Sequence, residues 1–168
     1  MKATALIPYI IIICWAAFLG HTPIVEYLIA KGAVVQSDQM YGDRSAIYWA
    51  SAMGHTDTVK LLIKHGADVR AYDPWSYECL HIAAEHGHAE VVDLLLDSGA
   101  DINARSYRSG YCSKAIHIAA ANGGIKVIKA LLARGQSTEA HDSDDEDYWE
   151  TPLRAAIRKN QLETVRCC

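Results

Sequence analysis

The chain has 168 residues, enough for one globular domain or one short repeat array. Apolar residues make up 51% and charged residues 21%, an ordinary folded composition that excludes general disorder. The net charge of -4 gives no basic footprint for nucleic acid. The five cysteines, Cys14, Cys79, Cys112, Cys167 and Cys168, contain no CxxC pair and no zinc-type spacing with His. They read as small buried apolar groups of a reducing compartment, which points to the cytoplasm.

From the N-terminus, Ala3 to Val25 holds no formally charged residue, and Ile10 to Ile13 is a solid apolar run after Lys2. Such a start suits a signal or anchor segment over residues 1–20, which would make a membrane-anchored or secreted protein. The same stretch also opens a pattern that recurs down the chain. Residues 16–21 read AAFLGH, 50–55 ASAMGH, 83–88 AAEHGH, 119–124 AAANGG and 156–161 AIRKNQ. Gly20, Gly54, Gly87 and Gly123 follow one another at 34, 33 and 36 residues, with Asn160 in the fifth place 37 residues on. Gly32, Gly66, Gly99 and Gly135 form a second series at 34, 33 and 36 residues. Two landmarks keeping one period define a repeat.

Each repeat reads as two helices. In the third, Ala83 and Ala84 are small enough for the first helix to lie close to its neighbours. Gly87 and Gly99 suit the left-handed residue that ends a helix. Val91, Leu94 and Leu95 make one apolar stripe, and Val92 and Leu96 extend it to another side. A helix apolar on two sides must be covered on two sides, as it is between stacked repeats.

The third unit, ECLHIAAEHGHAEVVDLLLDSGADINA at 78–104, resembles the ankyrin repeat, whose hallmark is TPLHxAAxxGH, an apolar helix and then GADVN. SAIYWAS at 45–51, KAIHIAA at 114–120 and TPLRAAI at 151–157 carry the same pattern. The resemblance runs from about residue 11 to 168. It implies an all-α solenoid of about five stacked helix-turn-helix units, with strand pairing confined to loop tips. The units are expected at 1–37, 38–70, 71–104, 105–140 and 141–168, all in one domain. CWAAFLGHTPIVEYLIAKGAVV at 14–35 matches both helices of a unit, so the first repeat is preferred over the anchor. Thr22 with Pro23, and Thr151 with Pro152, are expected to cap and begin helices. Glu78 and Lys114 stand where the family prefers Thr, so those helices lack a short hydroxyl cap. Tyr48 and Arg154 replace the motif His that His81 and His117 keep, which in the family joins a network between repeats. His86 and His88 have metal-like spacing, but His88 matches the family's Gly-His and is expected to be structural.

Both ends look incomplete: the first unit lacks a polar outer face, and the last stops inside its second helix at 165–168. The connections at 105–114 and 141–150 are about three and four residues longer than the family's standard. Asp142, Asp144, Asp145, Glu146 and Asp147 make the second strongly acidic without the EF-hand spacing for calcium. Ser143 before that run also suits an acid-directed kinase.

No nucleophile elbow, phosphate loop, dinucleotide fingerprint or HExxH appears, so no catalytic residue, cofactor or metal is expected. The resemblance implies instead a module that binds a protein through loop tips and first-helix ends. Residue by residue, this puts Tyr41, Arg44, Trp75, Tyr77, Tyr107, Arg108, Tyr111, Tyr148 and Trp149 at the tips. Met53, His86, Asn122, Arg158 and Lys159 fall at the helix ends. Tyr, Trp and Arg dominate interface energies. The acidic run 142–147 suits a partner with a basic surface.

Overall fold

The structure is a computed structural model that describes residues 7–36, 45–73, 76–107, 113–138 and 151–166. These residues form ten helices in five pairs. The first helices are α1 (Ile7–Phe18), α3 (Ala46–Ala52), α5 (Cys79–Glu85), α7 (Ala115–Ala121) and α9 (Pro152–Arg158). Their partners are α2 (Thr22–Ala30), α4 (Thr56–Lys64), α6 (Ala89–Asp97), α8 (Ile125–Ala133) and α10 (Leu162–Val165). Each first helix packs on the next, and α2, α4, α6 and α8 form a second layer behind them. Among the described residues, strand pairing is limited to the bridges Tyr72–Glu78 and Ser106–Ser113. The expected all-α solenoid is therefore the architecture.

The repeated residues explain it. Val25, Val59, Val92 and Ile128 occupy one place in successive second helices, and Leu28, Leu62, Leu95 and Leu131 another; all are buried. Each unit's core is thus completed by its neighbours, the one-dimensional stacking of a solenoid. Residues 14–35 take part in it as a first unit: Ile13, Ala16, Ala17, Val25 and Leu28 are core. The helix carrying the Ile10–Ile13 run begins at Ile7, earlier than the resemblance itself. Among the described residues, no helix is long and apolar enough to cross a membrane.

The helix starts differ in part from expectation. Thr151 Oγ1 accepts from the Arg154 amide at 3.3 Å, with Pro152 in the first turn, as the sequence predicts. Thr22, however, is the first helical residue and not the cap; His21 precedes it. The Thr22 hydroxyl is drawn to the buried Thr58 hydroxyl of the next unit, 2.7 Å away. At α5 and α7 the motif His compensates for the missing hydroxyl. The Glu78 amide donates to His81 Nδ1 at 3.1 Å, and the Lys114 amide to His117 Nδ1 at 3.2 Å.

The joints between units rest on a second set of histidines. Nε2–H of His55 donates to the Phe18 carbonyl, and that of His88 to the Ala52 carbonyl, each at 3.0 Å. The two rings lie on Gly20 and Gly54. A Cβ at Gly54 would come within 2.4 Å of the His88 ring. Gly54 also has φ +73°, where a side chain is strained. Gly87 shares that conformation (φ +78°), but Gly124 stands where a His would cover it, so a Cβ there meets open space.

These two positions separate strain from steric conflict. Gly87→Ala should cost about 1–2 kcal/mol, the strain alone. Gly54→Ala should cost at least about 1 kcal/mol more, because the His88 ring and its bond are displaced. Urea unfolding of both variants measures this, and equal losses would show that His88 yields without cost.

Candidate partner-binding groove

Because the first helices stand side by side, residues at one register position form rows across the array. Ala16, Ala50, Ala83, Ala119 and Ala156 make a buried row that lets the helices approach closely. Leu19, Met53, His86, Asn122 and Lys159 make an exposed row. They are the residues just past each first helix, where the chain turns away and no neighbour stacks on them. Met53, His86 and Asn122 were expected at helix ends and lie in this row; Arg158, one residue earlier in the fifth unit, is also exposed. Tyr107 is exposed on a loop. His86 and Asn122 are held in place by bonds to the Ile82 and Ile118 carbonyls, at 3.0 and 2.8 Å.

Tyr77 is corrected. It was expected to be offered at a loop tip, but it is only 4% exposed. Its ring lies 5.4 Å from that of His81, and its hydroxyl donates to Glu85 Oε2 at 2.7 Å. The reason is local. The Asp73 carboxylate accepts from the Tyr77 amide, and the antiparallel Tyr72–Glu78 bridge closes the turn on either side of it. Tyr41, Arg44, Trp75, Arg108, Tyr111, Tyr148 and Trp149 lie outside the described residues, as does the acidic run 142–147.

Four expected residues do come together. Tyr77, Asn122, Arg158 and Lys159 line one cleft of about 330 Å³ with Glu85 and His117. Its walls carry charges of both signs beside apolar surface, which suits a polar side chain of a partner. The reading from sequence missed Glu85, and it missed an aromatic group at the other end. Trp15 stacks on Phe18 at 5.6 Å, and Phe18 meets Trp49 edge-on at 5.6 Å. The available signal was register: Trp15 and Trp49 stand five residues before Gly20 and Gly54, equivalent glycines of the first series.

A family model described as ankyrin repeats, in three copies, matches residues 13–106, more than half of the chain. No curated protein sequence matches it.

The ionisable groups beneath the groove are tuned by burial. His81 accepts at Nδ1 from Glu78, and its Nε2–H donates to the Ala104 carbonyl at 3.0 Å. Both nitrogens serve the neutral ring. Burial pushes its pKa down to about 4, against the pull of the Ala104 carbonyl and Asp73. Burial also lowers His88, which donates to Ala52. It drives the Cys79 thiol far up, which keeps that sulfur un-ionised and a poor nucleophile. Glu78 is pushed up to about 7, first by burial and then by Asp101. Its Oε2 meets no donor among the described residues.

His81 and Glu78 give stability opposite pH dependences. Below pH 6.5 the unfolded chain protonates His81 first, so its share of stability is lost as pH falls from 6.5 towards 4. At pH 5 the loss is about 2 kcal/mol. Glu78 protonates first in the folded chain, so its burden is relieved as pH falls from 7 towards 4.5. Glu78→Gln removes only the second effect. It should be more stable than the parent at pH 8 and should lose more stability than the parent between pH 7 and pH 5. Guanidinium unfolding at these pH values checks it; parallel profiles would mean that Glu78 is ionised and solvated in the fold.

Proposed function

Because the chain belongs to the ankyrin-repeat family, whose repeats are in general protein–protein interaction modules, we propose that it is a non-enzymatic adaptor that binds a partner protein along the groove. One observation carries this reading: the row Leu19, Met53, His86, Asn122 and Lys159 is exposed in every unit, directly beside an alanine row that is buried in every unit. The exposed row changes in chemistry from unit to unit while the buried one does not. Such a surface can be fitted to a partner without disturbing the stack.

The partner lies along Met53, His86, Asn122 and Arg158. The loop residues Tyr41, Arg44, Trp75, Tyr107, Arg108, Tyr111, Tyr148 and Trp149 extend the contact, the Tyr and Trp rings among them burying large area at modest entropic cost. The acidic run 142–147 faces a basic patch on the partner and acts mainly on association rate and salt dependence. The protein works in the cytoplasm, which suits its odd number of cysteines, and it uses no cofactor.

The test pairs stability with affinity. Partners are captured with the intact array, and variants are compared by melting temperature and Kd. Met53→Ala or Trp75→Ala should weaken binding by about 1–4 kcal/mol where either is a hot spot, with melting unchanged. Leu95→Ala should cost about 2–5 kcal/mol of stability through a core cavity. Surface variants that melt early while the folded fraction binds as before would remove the groove as the site.

A further inference from the structure

The cleft across units three, four and five owes its existence to a change of residue size. Where unit three has Tyr77 and Glu85, unit four has Ser113 and Ala121 at the same register positions. Where unit four has Ala121, unit five has Arg158. Small side chains thus stand between larger ones, and a space of about 330 Å³ opens over them. Ligand-binding clefts run from roughly 300 to 1,000 Å³, so this one suits a single side chain and its stem.

Its floor is fixed. Ser106 and Ser113 exchange backbone hydrogen bonds at 2.9 and 2.8 Å. Both are buried, as is His117, whose Nδ1 accepts from the Lys114 amide. The wall from unit three is fixed as well, because the Glu85 carboxylate accepts from the Tyr77 hydroxyl at 2.7 Å. The wall from unit five is the end of α9 and carries two exposed cations, Arg158 and Lys159. Ile118 and Ala121 of unit four add apolar surface.

Within the groove taken above as the binding surface, we infer that this cleft receives an acidic side chain, glutamate or aspartate, of the partner. Charge selects the occupant. Arg158 and Lys159 stand against the single carboxylate of Glu85, so two cations outnumber one anion in the lining. A second carboxylate brings the lining to neutrality, whereas a basic side chain adds a third cation to it. Glu85 already takes the Tyr77 hydroxyl, and Arg158 offers a planar fork of donors that matches a carboxylate. The methylene stem of the acid lies on Ile118 and Ala121. The exposed row, Leu19, Met53, His86, Asn122 and Lys159, contains no anion to compete for the cations or repel the acid. The acidic residue of the partner is therefore placed at units four and five, with Met53 of unit two left for an uncharged part of the same partner.

An array of short immobilised peptides of random sequence, probed with the intact 168-residue chain, tests this. Bound peptides should be enriched in Asp and Glu, and exchange of the acid for its amide should weaken binding by about tenfold or more. Arg158→Glu with Lys159→Glu should turn the preference to Lys and Arg, a gain that a misfolded variant could not show. Ala121→Glu gives unit four what unit three already has, so it should lose the acidic peptides while melting as the parent does. An array that binds no peptide, basic peptides chosen by the parent, equal affinity for acid and amide, or acidic binding that survives Ala121→Glu would each overturn the inference. A phosphoserine peptide preferred about tenfold over its glutamate counterpart would replace the carboxylate by a phosphate and overturn it too. So would acidic binding that emerges only after Asp142, Asp144, Asp145, Glu146 and Asp147 are changed to their amides, since the chain's own acidic run would then be the occupant. A captured partner that depends on Met53 but is indifferent to Arg158 and Lys159 would remove the cleft and leave the groove.

Discussion

The placement of a histidine ring on a glycine of the preceding unit sets the geometry on which the rest depends. Gly54 ends α3 in the left-handed conformation and offers no Cβ. The His88 ring can therefore lie flat against the turn while Nε2–H reaches the Ala52 carbonyl, near the end of α3. One contact thus satisfies a carbonyl that the helix end leaves open and fixes the distance between units. The joint between units one and two repeats it with His55, Gly20 and Phe18. At the fourth unit the ring is missing, because Gly124 takes its place. There α6 and α8 are joined instead by Arg134, whose guanidinium reaches Asp93 and Asp97 at 2.8 Å each. These are partly exposed ions, weaker fasteners than a ring seated on backbone. At the last joint Gln161 covers Gly123.

Units held at a fixed distance produce rows, and rows separate stability from recognition. The small residues Ala50, Ala83 and Ala119 are buried because the helices stand close. The residues that end those helices are exposed because the turn carries them past the stack. Substitution in the buried row bears on folding, whereas substitution in the exposed row leaves the stack itself untouched. The same regularity marks the ends. Ile24 and Ile157 are exposed at places that are buried wherever a neighbour exists, so their exposure reflects their place in the array and not a different local fold.

What could be read from the sequence follows this division. The two glycine series, the Ala-Ala steps and the Val and Leu positions of the second helices recur with one period, so the solenoid was legible from periodicity. Asn160 was legible as a glycine substitute, since Asn tolerates the left-handed region. Long-range choices were not. Thr22 could cap its own helix or reach Thr58 of the next unit, and only the packed structure decides. Glu78 and Lys114 read as poor caps because the compensating donor–acceptor pair lies on the motif histidines three residues later. For the groove, the helix-end positions were legible from register, and some loop aromatics were expected to pack on their own loops, but which ones was not legible. Trp15 and Trp49 were passed over because they sit inside helices.

Tyr77 shows why composition misled at the loops. A tyrosine between two units has three neighbours competing for it: solvent, a partner and the core. Here the core takes the ring, through His81, and Glu85 takes the hydroxyl. Yet the same side chain forms a wall of the cleft with Asn122 and Arg158. It is therefore the point where the two functions of the rows meet. His81, against which it packs, joins the start of α5 to the Ala104 carbonyl before the fourth unit. A group entering the cleft would press on a ring that is itself part of a joint. His86 stands in a similar relation to the joint before it, since its ring stacks on that of His88 at 6.2 Å, whereas Met53 is simply exposed.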